Sequence, residues 1–531
     1  MSIRRRSSVH ADGEDLQALH HDEDKLAEMG YKQELNRSWG LAHNFGISFS
    51  IISVVTGITT LFSFGLTVGG PGVMTVGWII VTFMTTFVGL SMAEIVSAIP
   101  TSGGPYFWAA TLAPVSQAPF WSWMTGWFNL LGQVAVTTGI TFGCAGLIST
   151  LGTINGNYEP SAGKTLGIYA ALLVSHGTVN TFGVNILRYL NNTSIVLHSL
   201  GVFAIGVAVL AKAPHHQSAK FVFAKFNDAT GEEGSTWGDR ATPAYVAVCG
   251  ILMSQYTITG FDASAHLSEE TKKAEWSAPI GVLMSIVVSG IFGFFYLLSL
   301  LFSIQDFDRT VSSDYGQPVL QIFVDVFGVD GAIVVMTLVI ICVWHCGLFS
   351  MTSNSRMMFG FSRDRGLPRI FHKVDKRFKS PINTVWLAAF LAFLLAIPSL
   401  GSTVAFAAAT SIATIGLYIS YGLPILIGLL YPSLFTKGPF HLGVFSRPIA
   451  LISVTWICFI SIVFCLPTAN PVTSQTLNYT PVAVGIILFF ALGSWFVWAR
   501  KWFTGPIRQV EGHTVVVGQE DPERIAEEEK S

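Results

Sequence analysis

Long uncharged stretches divide the chain, and each is long enough to cross a lipid bilayer. Asp, Glu, Lys and Arg are absent from the windows 44–93, 95–158, 165–187, 189–211, 241–261, 276–305, 331–355, 380–436 and 448–499. A helix needs roughly 20 apolar residues to cross about 30 Å of hydrocarbon. The windows 44–93, 380–436 and 448–499 each predict two spans separated by Gly- or Pro-containing turns, and the other windows predict one each. Continuous apolar runs favour twelve transmembrane helices over a β-barrel, whose strands alternate in polarity.

Composition supports this interpretation. Only 12% of the 531 residues are charged and 51% are hydrophobic, whereas soluble domains are typically about 25% charged. The net charge of −2 argues against a nucleic-acid partner, which would require a basic face. The sequence shows no nucleophile–base pair, no metal-ligand spacing and no phosphate-binding loop. We therefore expect an all-α membrane protein that is not an enzyme, has no metal site and is not ATP-driven.

Loop charge predicts the orientation. The segment 356–379 contains eight basic residues and two acidic ones, whereas 306–330 contains five Asp and one Arg. Basic loops face the cytoplasm, so both termini are expected there. The charged first 30 residues show no cleavable signal peptide and are typical of a disordered tail. The predicted division is a tail over 1–40, a transporter domain over 41–503 and a second tail over 504–531.

Two hydrophobic spans contain possible helix breaks at corresponding places. Span 1 contains Val55-Thr56-Gly57-Ile58 and span 6, five spans later, contains Thr259-Gly260-Phe261-Asp262. Interrupted helices at matching positions indicate an inverted-repeat transporter with a binding site at the bilayer midplane. Free N–H groups there would suit a carboxylate and free carbonyls an ammonium group. The alternative is ordinary close packing of helices through small residues.

Four motifs occur in order along the chain, and together they resemble a known superfamily. They are Tyr31–Arg37 (YKQELNR), Met92–Trp108 (MAEIVSAIPTSGGPYFW), Gly260–Thr271 (GFDASAHLSEET) and Ser355–Pro368 (SRMMFGFSRDRGLP). Over residues 30–510 the chain strongly resembles the amino acid–polyamine–organocation superfamily. The nearest branch is the amino acid/choline transporters, which include fungal γ-aminobutyrate (GABA) and choline permeases and plant bidirectional amino acid transporters.

The resemblance implies a LeuT-like fold with helices 1 and 6 broken. Its two five-helix repeats would cover about 44–211 and 243–430, followed by helices 11 and 12 over about 448–502. It also implies secondary active transport, commonly coupled to protons. The substrate site implied by the resemblance comprises backbone N–H groups of Val55, Thr56, Gly57 and Ile58, and carbonyls and walls from Tyr256, Thr257, Ile258 and Thr259. Phe261 could gate the pocket, and Gln133 could contact the substrate or only bond helix to helix.

Ionisable residues within a membrane are costly and point to function. Asp262 could link substrate binding to protonation, or cap the half-helix that follows it. His198 aligns where some relatives carry a lysine in place of a sodium ion, and could brace span 1 when protonated; the alternative is a packing role. Glu94 could be a proton site or a contact for basic loop residues. Oxygen atoms of Ser350, Thr352 and Ser353 could ligate a sodium ion, so sodium stays an alternative to the proton as the driving ion. No other cofactor is expected.

The predicted function is alternating-access, proton-coupled transport of small amino acids or related amines, with GABA as the leading substrate. One alternative is a transporter of choline, polyamines or another organic cation, which would favour an aromatic box. A different class of alternative is a nutrient sensor that binds without transporting. The plasma membrane is the expected location, with a vacuolar or other organelle membrane as the alternative. The sequence does not fix the oligomeric state.

Overall fold

The structure is a computed structural model that describes residues 18–35, 37–154, 156, 158–182, 184–401, 405–510 and 513–516. Within these residues, ten helical segments are long and apolar enough to cross a membrane. They are Leu41–Thr67, Gly70–Ala98, Ala118–Thr153, Ile186–Lys212, Ala274–Phe302, Pro318–Arg363, Ile382–Leu400, Ala405–Leu430, Gly443–Val463 and Thr480–Lys501. Each corresponds to one of the twelve predicted spans, which makes the chain an all-helical, multi-pass membrane protein.

The fourth and sixth predicted spans are helical but are not among these ten segments. The fourth is a single helix of 21 residues, Ala162–Phe182. The sixth is divided into Pro243–Gly250, Leu252–Thr257 and Ala263–His266. A helix interrupted in this way is too short in each part to cross the hydrocarbon by itself.

Helices are numbered here in chain order. The first group is α1 (Leu41–Ile52), α2 (Val54–Thr67), α3 (Gly70–Ala98), α4 (Pro105–Leu112), α5 (Ala118–Thr153), α6 (Ala162–Phe182), α7 (Val184–Val196), α8 (Val202–Lys212), α9 (Ala219–Ala224) and α10 (Trp237–Arg240). The second group is α11 (Pro243–Gly250), α12 (Leu252–Thr257), α13 (Ala263–His266), α14 (Ala274–Phe302), α15 (Phe307–Val311), α16 (Pro318–Arg363), α17 (Ile382–Ala396), α18 (Ala405–Leu430), α19 (Ser446–Val463) and α20 (Thr480–Val497). A five-residue π-helical turn, Leu197–Gly201, joins α7 to α8.

Burial separates inner helices from outer ones. The most apolar window of α1–α2 is 89% buried and that of α5 is 72% buried, whereas that of α20 is 17% buried. Helix α5 packs against α16 and α18, and α14 packs against α1 and α3. Helices α1, α2 and α5 therefore form the interior, and α20 presents its apolar side chains to the surrounding lipid.

The N-terminal segment departs from the expected disorder. Residues 18–28 are helical, and the Asp22 carboxylate accepts hydrogen bonds from the backbone N–H groups of Lys273 and Ala274, at 2.7 and 3.1 Å. Arg37 donates to the carbonyls of Ser268 and Thr271. The expectation of a disordered tail is therefore wrong for the described residues from 18 onward, because their polar groups bind the segment before α14; residues 1–17 lie outside the described part.

Two further expectations need correction. The basic segment 356–379 was expected to be a loop, but α16 continues to Arg363. Its first two cations, Arg356 and Arg363, are buried because each forms an ion pair with a glutamate. In the C-terminal segment, Ile507–Val510 and His513–Val516 form a two-stranded antiparallel hairpin, a small exception to the all-helical prediction.

Candidate functional site

The first helix break lies at Ser53, two residues before the predicted one. Ser53 has φ 24° and ψ 81° between α1 and α2, a conformation that non-glycine residues rarely adopt. Its carbonyl accepts the N–H groups of Thr56 and Gly57 at 2.8 and 3.2 Å. Those two N–H groups are therefore used within α2. The N–H groups of Val54 and Val55, which begin the helix, are the ones that helix geometry leaves free.

The second break lies where the sequence predicts it. Helix α12 ends at Thr257 and α13 begins at Ala263, with Gly260 at φ 98° between them. A Cβ atom on Gly260 would lie 2.6 Å from the Cγ2 atom of Ile51 on α1. Glycine is therefore needed here both for its positive φ and for the close approach of the two broken helices.

The two breaks enclose a small buried cavity of about 10 Å³. It is lined by Ile51, Ile52, Thr56, Gly57, Val136, Ile140, Tyr256, Thr257 and Thr259. A Cβ atom on Gly57 would lie 2.2 Å from the Thr257 hydroxyl oxygen, so α2 and α12 touch at this point. The buried Tyr256 hydroxyl has no hydrogen-bond partner among the described residues. The cavity has room for about one water molecule, so a larger ligand requires the walls to separate.

Five predicted binding residues thus line the cavity: Thr56, Gly57, Tyr256, Thr257 and Thr259. Val55, Ile58, Ile258, Phe261 and Gln133 do not line it. The Phe261 ring packs against Tyr418 and Tyr421, at centroid distances of 6.2 and 5.2 Å. The Ile258 carbonyl accepts a hydrogen bond from the Tyr418 hydroxyl at 3.3 Å, which occupies a carbonyl that was expected to face the substrate.

Gln133 and Asp262 bind each other. The Gln133 side-chain amide donates to Asp262 Oδ2 at 2.8 Å, with both residues buried. This is the helix-to-helix bond that was considered as the alternative to a substrate contact for Gln133. Asp262 makes no capping bond to α13, so its carboxylate is directed to side chains of other helices and of the next turn.

His266 is a site residue that the sequence reasoning did not single out. Its Nε2 atom lies 3.2 Å from Asp262 Oδ2, and its Nδ1 atom lies 2.9 Å from the Ser102 carbonyl oxygen. The side chains of both His266 and Asp262 are fully buried. An i, i+4 spacing of two ionisable residues beside a helix break was the signal that could have revealed the pair.

His198 lies where the sequence interpretation placed it, against the break in helix 1. Its Nε2 atom is 2.8 Å from the Ser53 hydroxyl, and its Nδ1 atom is 2.9 Å from the Ser194 carbonyl oxygen. The Ser53 hydroxyl also lies 2.5 Å from the hydroxyl of Thr56, which lines the cavity. His198 belongs to the π-helical turn, an irregularity that often marks functional positions in helices.

Glu94 is held by the segment that begins α19. Its carboxylate accepts from the Leu442 N–H at 3.0 Å and the Ser446 hydroxyl at 2.5 Å, and it pairs with Lys437 at 3.2 Å. These contacts match the alternative role expected for Glu94, which is contact with basic residues of a loop. Glu94 does not line the cavity between the breaks.

A buried ionic network closes the predicted cytoplasmic side of the bundle. Its six members are Tyr31, Ser102, Tyr106, Glu269, Arg363 and Asp364, and the Tyr106 hydroxyl donates to Asp364 Oδ2 at 2.8 Å. The two Glu269 oxygens accept from Arg363 at 3.0 and 3.1 Å, and the Ser102 N–H and hydroxyl donate to Glu269 Oε1 at 3.0 and 2.7 Å. Asp364 accepts from the Tyr31 hydroxyl at 2.7 Å. The network joins the N-terminal segment, the loop after α3, the segment before α14 and the end of α16.

Electrostatics hold this ionic network in its charged form. Burial by itself would raise the pKa of Glu269, but the Arg363 guanidinium and the Ser102 donors outweigh it and hold the pKa below its ordinary value. Burial, followed by the Asp364 charge, raises the pKa of Tyr31 well above its ordinary value. Tyr31 therefore stays a hydrogen-bond donor and Glu269 stays an acceptor throughout the physiological range.

Comparison with known proteins identifies the family of the chain. The sequence profile of the amino acid permease family matches residues 44–490. The amino-acid permease BAT1 homolog of Oryza sativa is 44% identical over 506 residues, which cover 92% of this chain and 96% of the relative. Amino-acid permease BAT1 of Arabidopsis thaliana is 43% identical, with the same coverage of each chain.

More distant similarity extends to fungi. The GABA-specific permease of Saccharomyces cerevisiae is 31% identical over 513 residues, which cover 94% of this chain and 88% of that protein. The profile match covers most of the chain, including both broken helices and the Asp262–His266 pair. The chain therefore belongs to the amino acid permease family, and it is a multi-pass membrane transporter of amino acids rather than an enzyme.

Proposed function

We propose that this permease carries small amino acids or related amines, with GABA as the leading substrate, by proton-coupled alternating access. The observation that carries the proposal is the contact between His198 and the break in helix 1. A titratable side chain there is linked through the hydroxyls of Ser53 and Thr56 to the cavity between the two broken helices. Substrate and proton would therefore act on the same segment of helix 1.

The hydrogen bonds of His198 suit either protonation state. His198 Nδ1 lies 2.9 Å from the Ser194 carbonyl oxygen and 3.1 Å from the Ser194 hydroxyl. In the tautomer that donates from Nδ1 to the carbonyl, the neutral ring accepts at Nε2 from Ser53. In that state Thr56 donates to Ser53. When Nε2 is protonated it donates to Ser53, and Ser53 then donates to Thr56. A proton on His198 thus reverses the direction of two hydroxyl bonds and changes the group that Thr56 presents to the cavity.

The substrate class follows from the groups around the cavity. Thr56 and Gly57, in the first turn of α2, line the cavity, and the positive end of the helix dipole there suits a carboxylate. The unpartnered Tyr256 hydroxyl offers a further polar contact. Among the lining residues Tyr256 is the one aromatic side chain. Because Phe261 packs against Tyr418 and Tyr421 instead, an aromatic box for a quaternary amine is not assembled, which favours amino acids over choline. A non-transporting sensor has no supporting observation.

The architecture proposed for this function is the one that the resemblance implies. It has twelve transmembrane helices, with repeats over about 44–211 and 243–430, two further helices over about 448–502 and both terminal tails in the cytoplasm. The predicted bundle of spans 1, 2, 6 and 7 would move against spans 3, 4, 5 and 8. The buried ionic network would then close the cytoplasmic side, and the plasma membrane is the proposed location.

The test is uptake of labelled GABA into proteoliposomes under an inward proton gradient, a sodium gradient or neither. Competition by alanine, arginine and choline ranks the substrates. Proton-driven uptake blocked by amino acids supports the proposal, whereas uptake driven by sodium alone refutes proton coupling. His198→Gln should abolish accumulation while exchange of internal for external substrate continues. His345→Gln changes a different buried histidine, which lies in α16; it is the matched control and should accumulate substrate normally.

A further inference from the structure

The Asp262–His266 pair has a hydrogen-bond geometry that requires a shared proton. His266 Nδ1 faces the Ser102 carbonyl oxygen at 2.9 Å, and a carbonyl can only accept, so Nδ1 carries a proton. His266 Nε2 faces Asp262 Oδ2 at 3.2 Å. If the ring were neutral and the carboxylate ionised, Nε2 and Oδ2 would both be acceptors, with no proton between them. Such a contact is unfavourable in a fully buried site. One additional proton removes this conflict, whether it resides on Nε2 or on Oδ2.

We propose that Asp262 and His266 form a proton-binding site that is loaded while the cytoplasmic side is closed and discharged when that side opens. This inference rests on the proposed proton-coupled transport and names a release site for the proton. The pair lies at the second helix break, and His198 lies at the first. His198 would thus act on the substrate cavity, whereas His266 would act on the cytoplasmic closure.

The link to the cytoplasmic side passes through Ser102. Its carbonyl holds His266, while its N–H and hydroxyl hold Glu269, whose partner is Arg363. Space at this point is tight, because a Cβ atom on Gly104, two residues after Ser102, would lie 2.8 Å from the His266 ring. Separation of the loop after α3 from Glu269 would therefore also remove the carbonyl that fixes the proton on Nδ1.

Proton release then follows by a balanced step. With the Ser102 carbonyl gone and water admitted, the imidazolium form loses its Nδ1 proton to cytoplasmic water. The Nε2–H group continues to donate to the ionised Asp262, so no acceptor is left opposing another. One proton leaves per cycle, no other bond changes, and reclosure at Ser102 requires a proton to be bound again.

The charged groups linked to the pair through Ser102 are Glu269 and Arg363, and they form an ion pair with each other. Gln133 donates to Asp262 Oδ2 from α5 and is not titratable in this range. Tyr418 and Tyr421 of α18 are the titratable side chains that face Asp262. Asp262 Oδ1 and the Tyr421 hydroxyl have no hydrogen-bond partner by distance and angle among the described residues, so Tyr421 is placed to donate to Oδ1 when the carboxylate is ionised.

The first test separates coupling from transport with His266→Gln, which can still donate to Asp262 but cannot carry the proton. Wild-type chain in proteoliposomes should show substrate-dependent proton entry, reported by a trapped pH-sensitive dye. His266→Gln should keep exchange within about threefold of wild type and lose both accumulation and the dye response. His345→Gln is the matched control and should keep both. Accumulation and dye response retained in His266→Gln overturn the inference.

The second test does not depend on activity, so it decides the question if His266→Gln proves inactive altogether. In substrate-free wild type at pH 7, histidine ¹⁵N spectra and the carboxylic acid infrared band should show either a doubly protonated His266 or a protonated Asp262, assigned by their loss in His266→Gln and Asp262→Asn. A neutral ring that keeps its proton on Nδ1 beside an ionised carboxylate, or the absence of any protonated form of the pair from pH 7 down to pH 5, overturns the inference. If wild type itself shows no proton-driven uptake, the proposed coupling fails, whatever the spectra show.

Discussion

Loss of the Glu269 charge should open the cytoplasmic side of the transporter. Glu269 is fully buried, and the Arg363 side chain is 2% exposed. Glu269→Gln keeps the shape and one acceptor oxygen but leaves the guanidinium without a counter-charge and places an amide N–H₂ against it. Removal of one partner of a buried pair costs about 3–5 kcal/mol. Since the remaining oxygen still accepts hydrogen bonds, we expect about 2–3 kcal/mol.

In the proposed alternating-access cycle this cost falls on the closed state, because the ionic network joins elements that would separate when the predicted cytoplasmic side opens. A free energy of about 2–3 kcal/mol corresponds to a shift of roughly 30- to 150-fold in the equilibrium between the closed and open states. Thr101 is the residue to monitor. It lies beside Ser102, it is buried, and its hydroxyl has no hydrogen-bond partner among the described residues.

The assay is the rate at which a bulky water-soluble maleimide labels Thr101→Cys in the purified full chain. Cys458 and Cys465, the cysteines that are not buried, are replaced by Ser beforehand. Glu269→Gln should accelerate labelling by roughly the factor derived above. Glu275→Gln is the matched control: Glu275 pairs with Lys25, which is 31% exposed, and a pair of this kind contributes about 0–1 kcal/mol.

A double-mutant cycle excludes a general loss of stability as the cause. Glu269→Gln combined with Arg363→Gln removes both charges, and the two amides can bond to each other. The double variant should therefore label more slowly than the product of the two single effects predicts, with a coupling energy of about 2 kcal/mol. Acceleration below threefold in Glu269→Gln, or single effects that simply multiply, would show that the Glu269–Arg363 pair does not hold this side closed.

Three further predictions concern the cavity and the pH range. Gly57→Ala places a Cβ against Thr257 and should lower the stability of the folded state by about 1–3 kcal/mol through overpacking. A scintillation proximity assay should show weak or no GABA binding by this variant. Gly146→Ala is the control, since its Cβ meets open space, and it should bind GABA normally. Tyr256→Phe should weaken GABA binding about fivefold without loss of thermal stability, since one neutral hydrogen bond contributes about 1 kcal/mol; unchanged affinity would remove Tyr256 from the site. The folded-state pKa of Glu269 is lowered. The stabilising effect of the Glu269 charge is therefore complete above the ordinary pKa of a glutamate and is lost as pH falls through the folded-state pKa. The difference in melting temperature between wild type and Glu269→Gln should be constant from pH 7.5 to 5 and shrink only in stronger acid.

The ten apolar helices of the described residues that are long enough to cross a membrane could be predicted from the sequence, because the bilayer acts on composition directly. A charged residue within the hydrocarbon is costly whatever its neighbours are, so the uncharged windows report spans without any knowledge of the fold. The break at Gly260 could be predicted for a similar reason, since glycine tolerates a backbone that other residues resist. The contact between His198 and helix 1 followed from the resemblance, which supplied the alignment of span 5.

Other features depend on contacts between residues far apart in the chain, and the sequence did not contain them. Ser53 carries the first break although Gly57 is the better candidate by propensity, because His198 and Thr56 bind the Ser53 side chain and Gly57 is required for contact with Thr257. From the sequence, Arg356 and Arg363 were expected in a charged loop. Ion pairs with Glu270 and Glu269 instead allow both side chains to be buried in α16. The Asp262–His266 pair required Ser102, 164 positions before His266, to fix its proton. Uncharged apolar windows in the sequence thus identified the ten helices that can cross a membrane in the part of the chain that the structure describes, and the motifs identified the family. Which polar groups meet depends on tertiary contacts, because pairing energy depends on distance and burial rather than on order along the chain.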